Sequence, residues 1–305
     1  DMKKKWICSL IALTVLCGGC WAFKEPEASD TKQDAPALEH PQPAQKETEV
    51  QEVQPEEPVH PEPEPPKAAR SSVKKLIQAA MLPVGQTLYT WGGGWNEEDT
   101  GGGTETVTLG ISPEWKNFYS TQDGSYDYRN FEGLIHEGLD CAGYVGWALY
   151  NALETENGKE SYVTTSWSML GTLRDKGLGT KIPHDQVTEV HPGDLMYGYE
   201  HVYIVVYVFE DGSRLILHSS PPGVQFSGTP DASGNLYSMA TGMADTIMSA
   251  WYPDYYARYP KVTTDVIYSD FDQFVWNSDI MGDLDAVNAM SIEEMIEYIS
   301  TPDAS

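Results

Sequence analysis

The chain has 305 residues, with 19 Lys and Arg against 46 Asp and Glu, for a net charge of −27. Its length would fill two domains, but half of the 20 prolines fall in 24–66 beside 12 acidic residues and three lysines, which excludes that stretch from any packed core. From 67 onward the balance is still 13 basic minus 33 acidic, or −20, a surface that repels phosphate backbones and excludes nucleic acid as a partner.

The chain begins with Lys3-Lys4-Lys5, an apolar run from Trp6 to Cys17, and Gly18-Gly19-Cys20. This is the pattern of an export signal over 2–22, whose apolar run of twelve residues is too short to span a bilayer comfortably. Three readings stand: a lipoprotein signal with lipidation at Cys20, plain secretory cleavage after Ala22, or an uncleaved anchor. Apart from Lys3–Lys5 no basic cluster suits anionic lipid, so membrane attachment is expected only through such an anchor. The protein is therefore expected in the cell envelope or outside the cell. Residues 23–70 read as a disordered Pro/Glu-rich linker, extended by charge repulsion and by the Pro-Glu alternation at 61–66.

The remaining 71–305 read as one domain. Val73, Leu76, Ile77 and Ala80 predict a helix over about 72–82, capped by Ser71 or Ser72 and stopped by Pro83. Tyr89-Thr90-Trp91-Gly92-Gly93 follows. Residues 94–138, rich in Gly, Asp, Asn and Tyr with a short alternating piece at Thr104–Leu109, read as a partly structured insertion. Asp140 is a strong N-cap, and Cys141, Val145, Ala148, Leu149 and Ala152 continue at helical spacing. Cys141 thus lies in a first turn, where the helix dipole favours a thiolate and the neighbouring Asp140 carboxylate opposes it. His191–Met196 reads as a turn into a strand, His201–Phe209 as a strand, Asp211-Gly212 as a hairpin turn and Arg214–His218 as the return strand. A helix followed by antiparallel strands is an α+β pattern. The aromatics Trp251, Tyr252, Tyr255, Tyr256 and Tyr259 read as packing against the sheet. Ser291-Ile292-Glu293-Glu294 is a capping box opening a short helix to about Ile299.

Cysteine is scarce. Cys8, Cys17 and Cys20 lie in or at the end of the signal, leaving Cys141 alone in the domain, with no intradomain disulfide and no Cys-x-x-Cys pair for a structural metal. No cofactor is expected. A lone cysteine at a helix start has two readings, an inert core residue or a nucleophile; in the second, His201 opening one strand and His218 on the next suit base and orienter.

Five segments in this order resemble the NlpC and p-sixty family of bacterial cell-wall cysteine peptidases. They are Tyr89-Thr90-Trp91-Gly92-Gly93, Asp140-Cys141-Ala142-Gly143-Tyr144-Val145, Pro192-Gly193-Asp194-Leu195, His201-Val202-Tyr203-Ile204-Val205 and Leu217-His218-Ser219. The resemblance implies a papain-like fold in which the nucleophile helix packs on a small antiparallel sheet. It implies Cys141, His201 and His218 as the catalytic set, Tyr89, Trp91 and Asp140 near the substrate, and peptidoglycan stem peptides as the substrate, cut at a γ-D-glutamyl-diamino acid amide. A papain-like acyltransferase or lipid hydrolase using the same thiol, and a non-catalytic wall-binding protein, are the alternatives. The chain departs from the family pattern at Ala142, at Tyr203 and in the length of 94–138. The hairpin also poses a problem of register. A two-residue Asp211-Gly212 turn makes opposing positions sum to 423, which sets His218 opposite Val205, about 13 Å along the strand from its target. A bulge or another turn is then required to join the histidines, and Ser220 competes as the third member.

Overall fold

The computed structural model describes residues 68–264 and 270–302. The expected export signal, Cys20 and the linker up to 67 lie outside the described residues. The linker's expected end at 70 needs adjustment, because Arg70 is already tied into the domain. Its backbone N–H donates to Asp279 (3.0 Å) and its guanidinium binds the Leu153 carbonyl, Glu154 and the Tyr162 hydroxyl.

Helix α1 (Val73–Met81) starts where expected. The Ser72 side chain accepts from Lys75 N–H at 3.0 Å, and the Asp283 carboxylate accepts from the Val73 and Lys74 amides at 2.6 and 3.1 Å. These bonds satisfy first-turn donors that have no partner within the helix. Residues 94–138 contribute a 3₁₀ turn at Thr104–Val107 in place of the alternating piece, then α2 (Pro113–Thr121). Trp115 and Tyr119 of α2 are buried in the main core, so this segment is part of the domain's packing. Helix α3 (Cys141–Leu153) is apolar nearly all round and buried from Ala142 to Tyr150, as befits a central element. Helix α4 (Ser166–Asp175) precedes the sheet.

The sheet has six strands: β1 (Gly179–Ile182), β2 (Leu195–Gly198), β3 (His201–Val208), β4 (Arg214–Ser220), β5 (Gly223–Gly228) and β6 (Asp272–Trp276). Their order is β1-β6-β2-β3-β4-β5, and every neighbouring pair is antiparallel. Helices α5 (Met239–Trp251) and α6 (Pro253–Arg258) lie between β5 and β6 in the chain. The aromatic run they carry packs as expected: Tyr255 is fully buried, and Trp251 and Tyr252 place their rings 6.5 and 6.4 Å from Phe226 of β5. After α7 (Leu284–Asn288), the capping box on Ser291 forms and opens α8 (Ile292–Ser300), whose Met295 and Ile299 are buried. Among the described residues the fold is therefore α+β, with eight helices and one antiparallel sheet.

Alternation along the strands divides the sheet's two faces. Val202, Ile204, Leu215 and Leu217 join the large core with residues of α1, α3, α4 and α5. Met196, Tyr203, Val205, Ile216 and Phe271 form a second, smaller cluster.

The β3–β4 hairpin departs from the ideal two-residue register in both of the ways that could join the histidines, by a longer turn and by a bulge. Phe209 N–H donates to Ser213 at 2.9 Å, which leaves a three-residue loop, Glu210–Gly212, with Gly212 at φ 81°. Glycine takes this left-handed position without a Cβ clash. Pairing beside the loop joins Tyr207 to Leu215; after a bulge between Val205 and Tyr207 it joins Val205 to Ile216 and Ile204 to Leu217. The two changes lower the paired sum from 423 to 421. Continued to the strand end, this register sets His201 opposite Ser220 and makes His218 its diagonal neighbour, a separation that side chains of this length bridge.

Candidate active site

Three elements meet at the start of β3. Cys141 opens α3, and the sulfur donates to the Glu200 carbonyl at 3.7 Å. Ser166, buried at the start of α4, donates to the same carbonyl at 3.3 Å. That carbonyl is aimed by the two-residue Tyr199-Glu200 loop between β2 and β3, with φ values of 50° and 60°. Such a turn usually carries Asn-Gly, and a residue with a Cβ pays about 1–2 kcal/mol for the left-handed conformation. The strain lies beside the thiol.

The two histidines are joined directly. His201 Nε2 and His218 Nδ1 are 2.9 Å apart, and His218 Nε2 is 2.9 Å from the Ser227 hydroxyl. Gln225 Nε2 donates to the same hydroxyl at 2.9 Å and to the Lys261 carbonyl at 3.0 Å. When His218 donates from Nε2 to Ser227, its Nδ1 accepts from His201 Nε2–H. His201 Nδ1 then carries the lone pair that a base needs. Among the described residues Nδ1 of His201 has no hydrogen-bond partner. His218, and not Ser220, is the partner of His201. Tyr203 fills the space beside this pair, with its ring 6.3 Å from His201 and its hydroxyl 3.1 Å from Arg214 Nη1.

Cys141 and His201 are neighbours without a thiol–imidazole hydrogen bond: the sulfur rests against the backbone on either side of His201. Burial dominates the electrostatics. It pushes the Cys141 thiol up to about 12, with the Asp140 charge adding to the rise. The expected preference of a helix N-terminus for thiolate is thereby outweighed. Burial also lowers His201 to about 4, and His218 lies well below the usual histidine range through burial and the adjacent His201 charge. At neutral pH the resting pair is a neutral thiol and a neutral imidazole.

Asp140 performs its capping role, accepting from Gly143 N–H at 2.7 Å. Burial raises its carboxyl to about 7, while hydrogen bonds from the Gly143 and Ala142 amides and the Trp95 indole work in the opposite direction. A carboxyl raised above its unfolded value contributes stability that is present at low pH and lost as pH rises through about 7. Replacing Asp140 with asparagine keeps a good cap and deletes the charge. The expected outcome at pH 8 is severalfold faster alkylation of Cys141 by iodoacetamide; an unchanged or slower rate in a variant of normal melting temperature would count against the electrostatic role of Asp140.

Tyr89 is buried, and its hydroxyl is raised strongly by burial and by the charges of Cys141 and Asp140. Its backbone is fixed on both sides, by Tyr89 N–H donating to Pro222 (2.9 Å) and by the Tyr126 hydroxyl donating to the Tyr89 carbonyl (2.6 Å). Trp91 is 67% exposed and makes no hydrogen bond or ring contact among the described residues. The Gly93 carbonyl accepts from Asp140 N–H at 3.0 Å, so the Trp91-Gly92-Gly93 segment braces the start of α3. Among the described residues no three His, Cys, Asp or Glu side chains are grouped to hold a metal ion.

Ser166, Trp95, Gln225 and Ser227 were not singled out from the sequence. Gln225 and Ser227 carry no distinguishing signal in the sequence; their roles follow from their burial in the strand Gly223–Gly228. Comparison of the chain with protein-family models, with curated proteins and with solved structures finds no match.

Proposed function

We propose that the protein is a cysteine endopeptidase of papain-like design that hydrolyses amide bonds in peptidoglycan stem peptides, of the γ-D-glutamyl-diamino acid type. The observation that carries this reading is the Cys141 thiol held against the Glu200 carbonyl, one residue before His201, which is itself joined to His218 and Ser227. In the proposed reaction the thiol turns from the Glu200 carbonyl to His201 Nδ1, which takes its proton as sulfur attacks the amide carbon. Contacts of this kind commonly tighten only when substrate is bound. The imidazolium gives that proton to the leaving amine, and water, deprotonated by the same Nδ1, hydrolyses the thioester. Backbone amides at the start of α3 supply donors for the oxyanion. Tyr89 lies close enough to share in this site.

The five ordered motifs support the choice of substrate. So do exposed aromatic rings: Trp91, Trp167 and Tyr199 lie within two residues of Tyr89, Ser166 and Glu200. Exposed rings of this kind suit the sugar-bearing side of a muropeptide. Export remains part of the proposal, because the cell wall lies outside the membrane.

A second reading, a non-catalytic wall-binding protein, is favoured by the raised thiol and the missing thiol–imidazole bond. Digestion of muropeptides by the full chain, analysed by mass spectrometry, separates the two. The peptidase should yield paired fragments from one amide cut, absent with Cys141→Ala. Intact muropeptides with both proteins would leave only the binding reading.

A further inference from the structure

A cavity of about 550 Å³ is lined by Arg129, Arg258, Lys261, Tyr126, Tyr128 and Pro222 among others, three of which touch Tyr89. Its wall is continuous with the candidate active site. The Tyr128 ring meets the Tyr89 ring edge-on at 5.1 Å, and the Tyr126 hydroxyl and Pro222 carbonyl bind the Tyr89 backbone at 2.6 and 2.9 Å. The insertion at 94–138, the β4–β5 turn and the segment after α6 meet here.

The charge of this cavity runs against the rest of the domain. Three of the 13 basic residues from 67 onward line it, in a segment that carries 33 acidic ones. Asp127, the one carboxylate on its wall, is paired with Arg129 at 3.2 Å. Arg258 is held differently. Its Nη1 donates to the carbonyls of Tyr119 (3.3 Å) and Gln122 (2.9 Å), and its guanidinium lies 4.6 Å over the Tyr119 ring. Among the described residues no carboxylate lies within ion-pair distance of it, although the Asp123 carboxylate feels its charge. Neutral carbonyls and a ring face orient the cation without cancelling its charge, which leaves it available to an anion. The aromatic and proline walls lower the local dielectric and strengthen that attraction.

We propose that this cavity is an anion-recognition subsite that takes a free carboxylate of an acidic peptide substrate while Tyr89 and Cys141 receive the amide to be cut. The inference rests on the peptidase reading for its substrate class. Because Arg129 and Asp127 offset each other, little net positive charge is left for a dianion, which points to a carboxylate and away from a phosphoryl group. Specificity then comes from a segment outside the catalytic motifs: the cavity selects peptides by a charge that the acidic surface elsewhere repels.

The test uses the full chain carrying Cys141→Ala, titrated calorimetrically with a γ-glutamyl-diaminoacyl peptide as free acid and with the same peptide fully amidated. The free acid should bind about tenfold more tightly, and added salt should narrow the gap. Arg258→Gln and Arg129→Gln, each added to that chain, should reduce the preference to threefold or less. Arg129 is an exposed side chain, so its variant decides the matter if Arg258→Gln fails to fold. Equal binding of the two peptides, no binding of either, or a tenfold preference kept in Arg129→Gln would overturn the subsite. The two ideas fail differently. A preference in binding with no cleavage by the wild-type chain removes the peptidase and leaves the subsite; cleavage of both peptides at equal kcat/KM removes the subsite and leaves the peptidase.

Discussion

Replacing His201 with glutamine should lower kcat for stem-peptide hydrolysis by about 10²–10⁴-fold, the range supplied by a positioned general base. The size of the loss follows from how few nitrogens are available. His218 has both ring nitrogens engaged, one with His201 and one with Ser227, so it has none to offer the thiol. With the thiol pushed up to about 12, almost no thiolate exists at pH 7 unless a base draws off the proton. In the proposed reaction His201 Nδ1 is that base. Because burial holds His201 near 4, it stays unprotonated across the neutral range, and the wild-type rate should rise with pH above about 4 and then run flat through neutrality. His218→Gln should cost less, because it removes the group that orients His201 and leaves the base. It should also change the acid limb of the pH–rate profile, which a purely structural loss would not move. Initial rates on purified muropeptides, set beside thermal melts of each variant, check both expectations. A loss smaller than tenfold in a folded His201→Gln protein would remove His201 from the chemistry.

Gly143→Ala should destabilise the domain by about 3 kcal/mol or more, at the upper end of what inserting a methyl group into a packed site costs. A methyl group at Gly143 would overlap the Gly93 carbonyl oxygen. Neither partner can give way, because the obstacle is backbone and the same oxygen accepts the Asp140 N–H at 3.0 Å. Gly93 is equally confined, with the Leu139 Cα and the Gly138 carbonyl 2.7 Å from where its own Cβ would sit. Two glycines of separate motifs are thus parts of one close approach between the Gly-rich segment and the first turn of α3. The matched control is Gly171→Ala in α4, where a methyl group meets nothing within 4 Å. That change should stabilise the helix slightly through its higher propensity. At about 2–4 °C per kcal/mol for a domain of this size, the two melting temperatures should move in opposite directions, Gly143→Ala falling by about 6–12 °C. Equal shifts would refute the close-packing account.

What was legible in the sequence was local. Ser72 and Asp140 announce their helices because a short polar side chain before an apolar stripe has few other uses, and Ser291 with Glu294 does the same for α8. The β3–β4 hairpin was legible from its β-branched and aromatic run. Its register was not, because Asp211-Gly212 fits either a two-residue turn or the end of a three-residue loop, and the bulge after Val205 depends on cross-strand packing. Strand β6 was invisible for a different reason: it comes from 272–276 and pairs with β1 and β2, a choice made by tertiary contacts alone. Cys141, His201 and His218 stood out by residue type and order. Ser227, Gln225 and Ser166 did not, since serine and glutamine are ordinary until burial makes their partners obligatory. For the thiol, the helix N-terminus and the opposing Asp140 charge are visible in the sequence, and the desolvation that raises it further is not.

The central claim is that Cys141 cuts an amide using His201 as its base. Digestion of muropeptides in isotopically labelled water reads it most directly. The wild-type chain should place one labelled oxygen in the new carboxyl terminus of a single fragment pair, and Cys141→Ala should give no labelled fragment. Labelled fragments formed equally by Cys141→Ala, or intact muropeptides recovered from the wild-type digest, would contradict the account.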